Sequence, residues 1–169
     1  ETYATSGTRP IVRVFGGFNL PADICKVGDF AARGYARGVP MGGTLKRGQR
    51  PPGRGRQAPS FAVSALMDPG WSGHPGTPLQ RAQIIKGWVD AAGQTHEQVY
   101  DVAGRADDKA KVDLRTCRPT GGGLKKLCTL WTDPDFDPAR HAFYYVRVLE
   151  NPSCRWNQFY CNARGVDCG

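Results

Sequence analysis

QRAQIIKGWVDAAGQTHEQVYDVA, residues 80–103, is the stretch whose reading decides the fold. Ile84, Ile85, Trp88 and Val89 make one strand, Ala92-Gly93-Gln94 a turn, and Thr95 to Val102 the returning strand. Apolar and β-branched residues on either side of a short glycine-containing turn predict a β-hairpin. Downstream, AFYYVRVLE at 142–150 is richer still in aromatic and β-branched residues. Its two faces, Ala142, Tyr144, Val146, Val148 and Phe143, Tyr145, Arg147, Leu149, are both substantially apolar, which predicts a strand inside a sheet rather than at its edge.

Upstream, IVRVF at 11–15 reads as a strand ended by Gly16-Gly17, and SFAVSALM at 60–67 as a strand with Phe61, Val63 and Ala65 on one face. Residues 22–37 predict one or two helical turns kept short by Gly28, Gly34 and Gly38. Asp68-Pro69-Gly70 predicts a turn. Lys111 to Cys117 and Leu127 to Thr132 predict a second hairpin. Seven or so short strands with 22 glycines and 13 prolines between them point to a mainly β, sandwich-like antiparallel domain. The 169 residues form one domain, with a flexible basic Pro/Gly loop at 44–59. No 18-residue apolar run is present to span a membrane. Glu1-Thr2-Tyr3-Ala4-Thr5 is no signal peptide, so the reading is a mature product or a piece of something longer.

Six cysteines, Cys25, Cys117, Cys128, Cys154, Cys161 and Cys168, are widely and irregularly spaced. Structural zinc favours ligand pairs two to four residues apart, and no CxxC or HxxxH occurs. Disulfides in an oxidising, secreted, periplasmic or extracellular setting are the expectation. Cys117 and Cys128 flank the turn-forming Arg118-Pro119-Thr120-Gly121-Gly122-Gly123, and a bridge there would contribute about 3 kcal/mol by closing a short loop. Full pairing would then require one of Cys154, Cys161 and Cys168 to reach Cys25.

The net charge is +8, with Lys46, Arg47, Arg50, Arg54 and Arg56 concentrated in one acid-free segment. Such a segment can bind an anion. It lacks the interleaved aromatics of a nucleic-acid surface, so nucleic acid is an unfavoured partner and a solvated loop the simpler reading. His74, His96 and His141 show no metal-ligand spacing, and Gly-x-Ser-x-Gly is absent. Asp133-Pro134-Asp135-Phe136-Asp137 looks like the opening of a calcium loop, but Pro138 and Tyr144 stand where such a loop needs Gly and Glu. Turn formation, with Asp137 capping the approach to the 142–150 strand, accounts for it. The residues therefore predict no catalytic group, no metal and no cofactor.

ETYATSGTR at 1–9, VRVFGGF at 12–18, GYARGVPMGG at 34–43, QIIKGWVDAAGQTHEQVYDVAG at 83–104 and TLWTDPDFDPARHAFYYVRVLENPSCRW at 129–156 resemble, together, the C-terminal part of a bacterial family of unknown function, numbered thirty-six-oh-four. That family looks related to the polymerase-and-histidinol-phosphatase (PHP) metal-dependent hydrolases. The resemblance implies metal-binding histidines and carboxylates upstream of the segment resembling residues 1–9, with no counterpart in this chain. It also implies a continuation past the segment matching Gly165 to Cys168. Thr5, Ser6 and Arg9 would lie nearest the catalytic part, with Arg9 contacting an anionic group. The expected role is a non-catalytic structural or interaction module, partnered by that catalytic domain. The alternatives are a self-assembling subunit of an extracellular filament and a fragment of a metal-dependent hydrolase.

Overall fold

The computed structural model describes residues 4, 7–26, 28–46, 58–106 and 109–167. Strand β1 (Ile11–Gly17) leads to helix α1 (Phe30–Arg37), then β2 (Val39–Pro40), β3 (Ser60–Leu66) and the short ribbon β4 (Gly70–Trp71) and β5 (His74–Pro75). The long hairpin β6 (Leu79–Val89) and β7 (Thr95–Gly104) follows. A second ribbon, β8 (Lys111–Asp113) and β9 (Arg118–Thr120), precedes β10 (Lys126–Thr132), β11 (Ala142–Glu150) and helix α2 (Trp156–Arg164).

Two antiparallel sheets, ordered β10-β3-β1-β2 and β11-β6-β7, share one core. Phe61, Val63 and Ala65 of β3 meet Leu79, Ala82 and Ile84 of β6, with Leu127 of β10 beside them. Each large aliphatic side chain withdrawn from water there contributes about 1.5–3 kcal/mol. The predicted hairpin forms as read: Asp90 N donates to Gln94 O, Asp90 Oδ1 accepts from Ala92 and Gln94 N–H, and Gly93 takes φ +79° at the turn.

The outer face of β1 carries Phe15, which α1 covers through Phe30 and Tyr35, ring centroids 5.7 and 4.9 Å away. Gly34 does not interrupt this helix but lets it approach, because the Phe15 ring occupies the space a Cβ would take. Gly34→Ala gains about 1 kcal/mol of helix propensity, yet forces ring and helix apart. A net loss of about 1–2 kcal/mol is expected in urea unfolding. Gly28→Ala, with nothing within 4 Å, serves as the control.

Three expectations are corrected. The 142–150 strand lies at a sheet edge, paired only with β6 among the described residues. One apolar face, with Tyr144, Val146 and Val148, packs on the core; the other leaves Phe143 and Tyr145 largely exposed. The second hairpin does not form. Residues 111–113 pair with 118–120, and β10 pairs with β3, setting Leu127 opposite Ala65 and Trp131 opposite Phe61. The Cys117–Cys128 bridge is likewise absent. Cys25 joins Cys128 and Cys117 joins Cys154, with Cα separations of 5.6 and 5.5 Å. Cys25 therefore reaches a β10 residue, not one of the C-terminal cysteines, because β10 pairs with β3 at the edge of the four-stranded sheet while the 117 turn lies outside it. Cys161 is also disulfide-bonded, and no described cysteine is free.

Candidate functional site

A cleft of about 910 Å³ opens between β1, the 39–46 segment, the 136–142 loop and β11. It exists because β2 and β11, the edges of the two sheets, leave the sandwich open on that side. Val14, Phe61 and Ile84 are among its apolar lining, with Met41 and Leu45 from the loop after β2. Phe143 and Tyr145 stand on its β11 wall, rings stacked at 6.4 Å. Gly87, opposite Phe143 in register, leaves the space its ring fills. Among the described residues, the ionisable ones of the lining are Lys46, Arg140, His141 and the tyrosines, with no Asp or Glu.

Behind Tyr144 a buried polar network ties the two sheets. Lys86 Nζ donates to Asp133 Oδ2 at 2.7 Å and to Asp135 O at 2.8 Å. The side chains of Lys86 and Asp133 are 6% and 0% exposed. Tyr144 Oη donates to the same Asp133 oxygen at 2.6 Å, while Asp133 Oδ1 accepts from Asp135 N–H at 2.9 Å. Tyr100 Oη donates to Asp135 Oδ2 at 2.8 Å. Burial, reinforced by these carboxylates, holds both phenols well above the ordinary tyrosine range. A neutral phenol, a paired ammonium and a fully hydrogen-bonded carboxylate form a pin, since each buried charge already has its partners. The acidic string that reads like a calcium loop thus receives the ammonium of Lys86. The sequence held a signal for the burial of Lys86, though not for its partner: Lys86 shares the strand phase of core-facing Ile84.

The C-terminal helix α2 offers a different surface. Trp156, Phe159 and Tyr160 are 79%, 55% and 50% exposed. Trp156 and Tyr160 pack edge to face at 6.3 Å, and Arg164 lies 4.8 Å over the Tyr160 ring. The opposite side carries Cys161, the buried residue of the helix. Attachment comes from the Cys117–Cys154 bridge just before the helix, the Cys161 bridge, and Asn162 Nδ2 donating to Leu114 O at 2.9 Å. Sequence reading missed this helix; only the spacing of Trp156, Phe159 and Tyr160 hinted at one helical face.

The cleft brings together Lys46 and His141, both singled out in the sequence. Arg9 is exposed and does not line the cleft; its backbone N–H donates to Asp68 Oδ2 at 2.8 Å. The N–H groups of Gly70 and then Arg9 hold the Asp68 carboxyl below its ordinary value. Thr5, Ser6, Arg47, Arg50, Arg54, Arg56, Cys168 and the side chain of His74 lie outside the described residues. His96 stacks on Trp88 with centroids 5.2 Å apart and bonds Asp90 Oδ2 at 2.7 Å. That contact, followed by turn N–H groups, lowers the Asp90 carboxyl. Asp137 caps as read, its Oδ1 accepting from Ala139 N–H at 2.9 Å. Among the described residues, no three His, Cys, Asp or Glu side chains gather where a metal could be held.

The family model described as "Protein of unknown function (DUF3604)" matches residues 1–168. No curated protein and no solved structure matches the chain.

Proposed function

Because the chain belongs to the DUF3604 family, we propose that it is a non-catalytic structural or interaction module, and that α2 is the surface by which it joins its partner. The partner in this reading is the catalytic part of a PHP-related protein, of which this chain forms the C-terminal portion. The setting is secreted or periplasmic, a reading that the paired cysteines support.

The observation that carries the proposal is a helix held by covalent bridges with its aromatic face turned to water. Trp, Tyr and Arg dominate binding hot spots because they combine large apolar area with a polar tip. Disulfides at Cys154 and Cys161 fix the helix before it binds, which lowers the entropy lost on association. Burying Trp156 and Phe159 would contribute about 1.5–3 kcal/mol each.

The test compares the 169-residue chain with its intact parent, each carrying Trp156→Ser and Phe159→Ser. In the isolated chain these exposed changes should shift stability by less than about 0.5 kcal/mol. In the parent they should loosen the module, seen as faster proteolytic release and a lower Tm for the remaining part. An unaltered parent would remove the proposal. Self-association of the 18.4 kDa chain, abolished by the same double variant, would instead favour the assembling-subunit reading.

A further inference from the structure

We propose that the cleft between β2 and β11 is a binding site for an amphipathic anion: a molecule with a flat apolar body and one sulfonate, phosphate or carboxylate head. The inference is independent of the role given to α2, which lies outside the cleft lining. Its basis is the combination of shape and charge. A cavity of about 910 Å³ falls in the size range of small-ligand sites, whose walls are mostly apolar with a few convergent polar groups. Here Val14, Phe61, Ile84 and Met41 supply apolar lining and Phe143 an aromatic wall.

Among the described residues, the lining holds Lys46 and Arg140 and no carboxylate, so its fixed charge is positive. Low-dielectric walls strengthen the attraction that these groups exert on an anion, and they concentrate the field in the opening. Arg140 is best suited to grip the head. Asp137 steadies its guanidinium by a contact of 3.5 Å, and the guanidinium lies 5.8 Å over the Trp88 ring, where the cleft meets a second one that shares Arg140 and is lined also by Asp90, Glu97 and Asp137. That placement fixes the planar group while leaving its fork geometry suited to two oxygens of one anion. Met41, across the apolar floor, contacts the body and not the head. A neutral ligand of the same shape would use the floor but gain nothing from Arg140.

The test uses anilinonaphthalene sulfonate and its uncharged parent, phenylnaphthylamine, with the 169-residue chain. Fluorescence titration should show the sulfonate binding at one site, about tenfold more tightly than the amine, as expected for one charge-assisted contact. Arg140→Gln should weaken the sulfonate about tenfold and leave the amine unchanged. Met41→Glu, which places a carboxylate in the lining, should weaken the sulfonate by a larger factor than the amine, because both lose the apolar contact and only the sulfonate meets a like charge. Circular dichroism checks that both variants fold. Equal affinity for the two probes, or sulfonate binding indifferent to both variants, would overturn the inference. So would loss of sulfonate binding on Trp156→Ser, which would place the dye on α2; that result would leave the α2 proposal standing and remove only this one.

Discussion

Asp133→Ala is expected to lower the unfolding free energy by about 3–5 kcal/mol, the range for breaking a buried ion pair from one side. The Lys86 ammonium, 6% exposed, would keep its bond to Asp135 O but lose its counter-charge. Tyr144 Oη would lose its acceptor and Asp135 N–H its partner. For a chain of this size the fall in Tm should be about 10 °C or more. Net stability of domains is only about 5–15 kcal/mol, so a large share is at stake. The position of the pair enlarges the consequence. Asp133 follows β10 of one sheet, whereas Lys86 and Tyr144 sit opposite each other on β6 and β11 of the other. Removing the carboxylate therefore strips charge balance from the seam between sheets, where Tyr144 also packs on Phe61 at 4.3 Å. The double variant Lys86→Met with Asp133→Leu should recover most of the loss, since apolar replacement of both partners removes the buried charge altogether. Urea denaturation of the three proteins decides it. A single variant as stable as the parent chain would show that water reaches Lys86 and that the pin is no pin.

The long hairpin was legible because all of its determinants are local: β-forming residues, a glycine at φ +79°, and Asp90 capping the turn. The strand at 142–150 was equally legible as a strand, but not as an edge. Two apolar faces fit burial on both sides; they also fit one face in the core and one beside a cleft, with Gly87 making room for Phe143. Sequence pattern gives the period of a strand and not its neighbours. The failed second hairpin has the same origin. Proximity favoured joining residues 111–117 to 127–132, but β10 matches the inner face of β3, and that distant pairing completes the core. Lys86 and Asp133 are 47 positions apart, so neither one's surroundings disclose the other. What the sequence displays of a site is its residue types. The cleft needs the fold to bring Met41 and Arg140 to one opening.

The two resolved disulfides should fail in different ways, and the difference bears on α2. Cys25→Ala with Cys128→Ala opens a bridge spanning 103 residues, for which the chain-entropy account assigns about 4–5 kcal/mol. Because Cys128 pairs with the core strand β3 and Cys25 precedes α1, that loss should appear as a lower urea midpoint for the whole domain. Cys117→Ala with Cys154→Ala opens a bridge of separation 37, worth about 4 kcal/mol by the same reasoning. Its Cys154 end, however, stands immediately before a nine-residue helix whose described side chains contribute only Cys161 to the buried interior. A free helix of that length is marginal in water. Much of the effect should therefore be local, with the helix detaching at little loss to the core. Hydrogen exchange across residues 156–164 should accelerate strongly in the second variant, while β3 and β6 amides keep most of their protection. In the first variant, protection should fall throughout. Uniform loss in both would mean that α2 is stabilised by the core after all, and the argument that covalent bridges present its aromatic face to a partner would lose its physical basis.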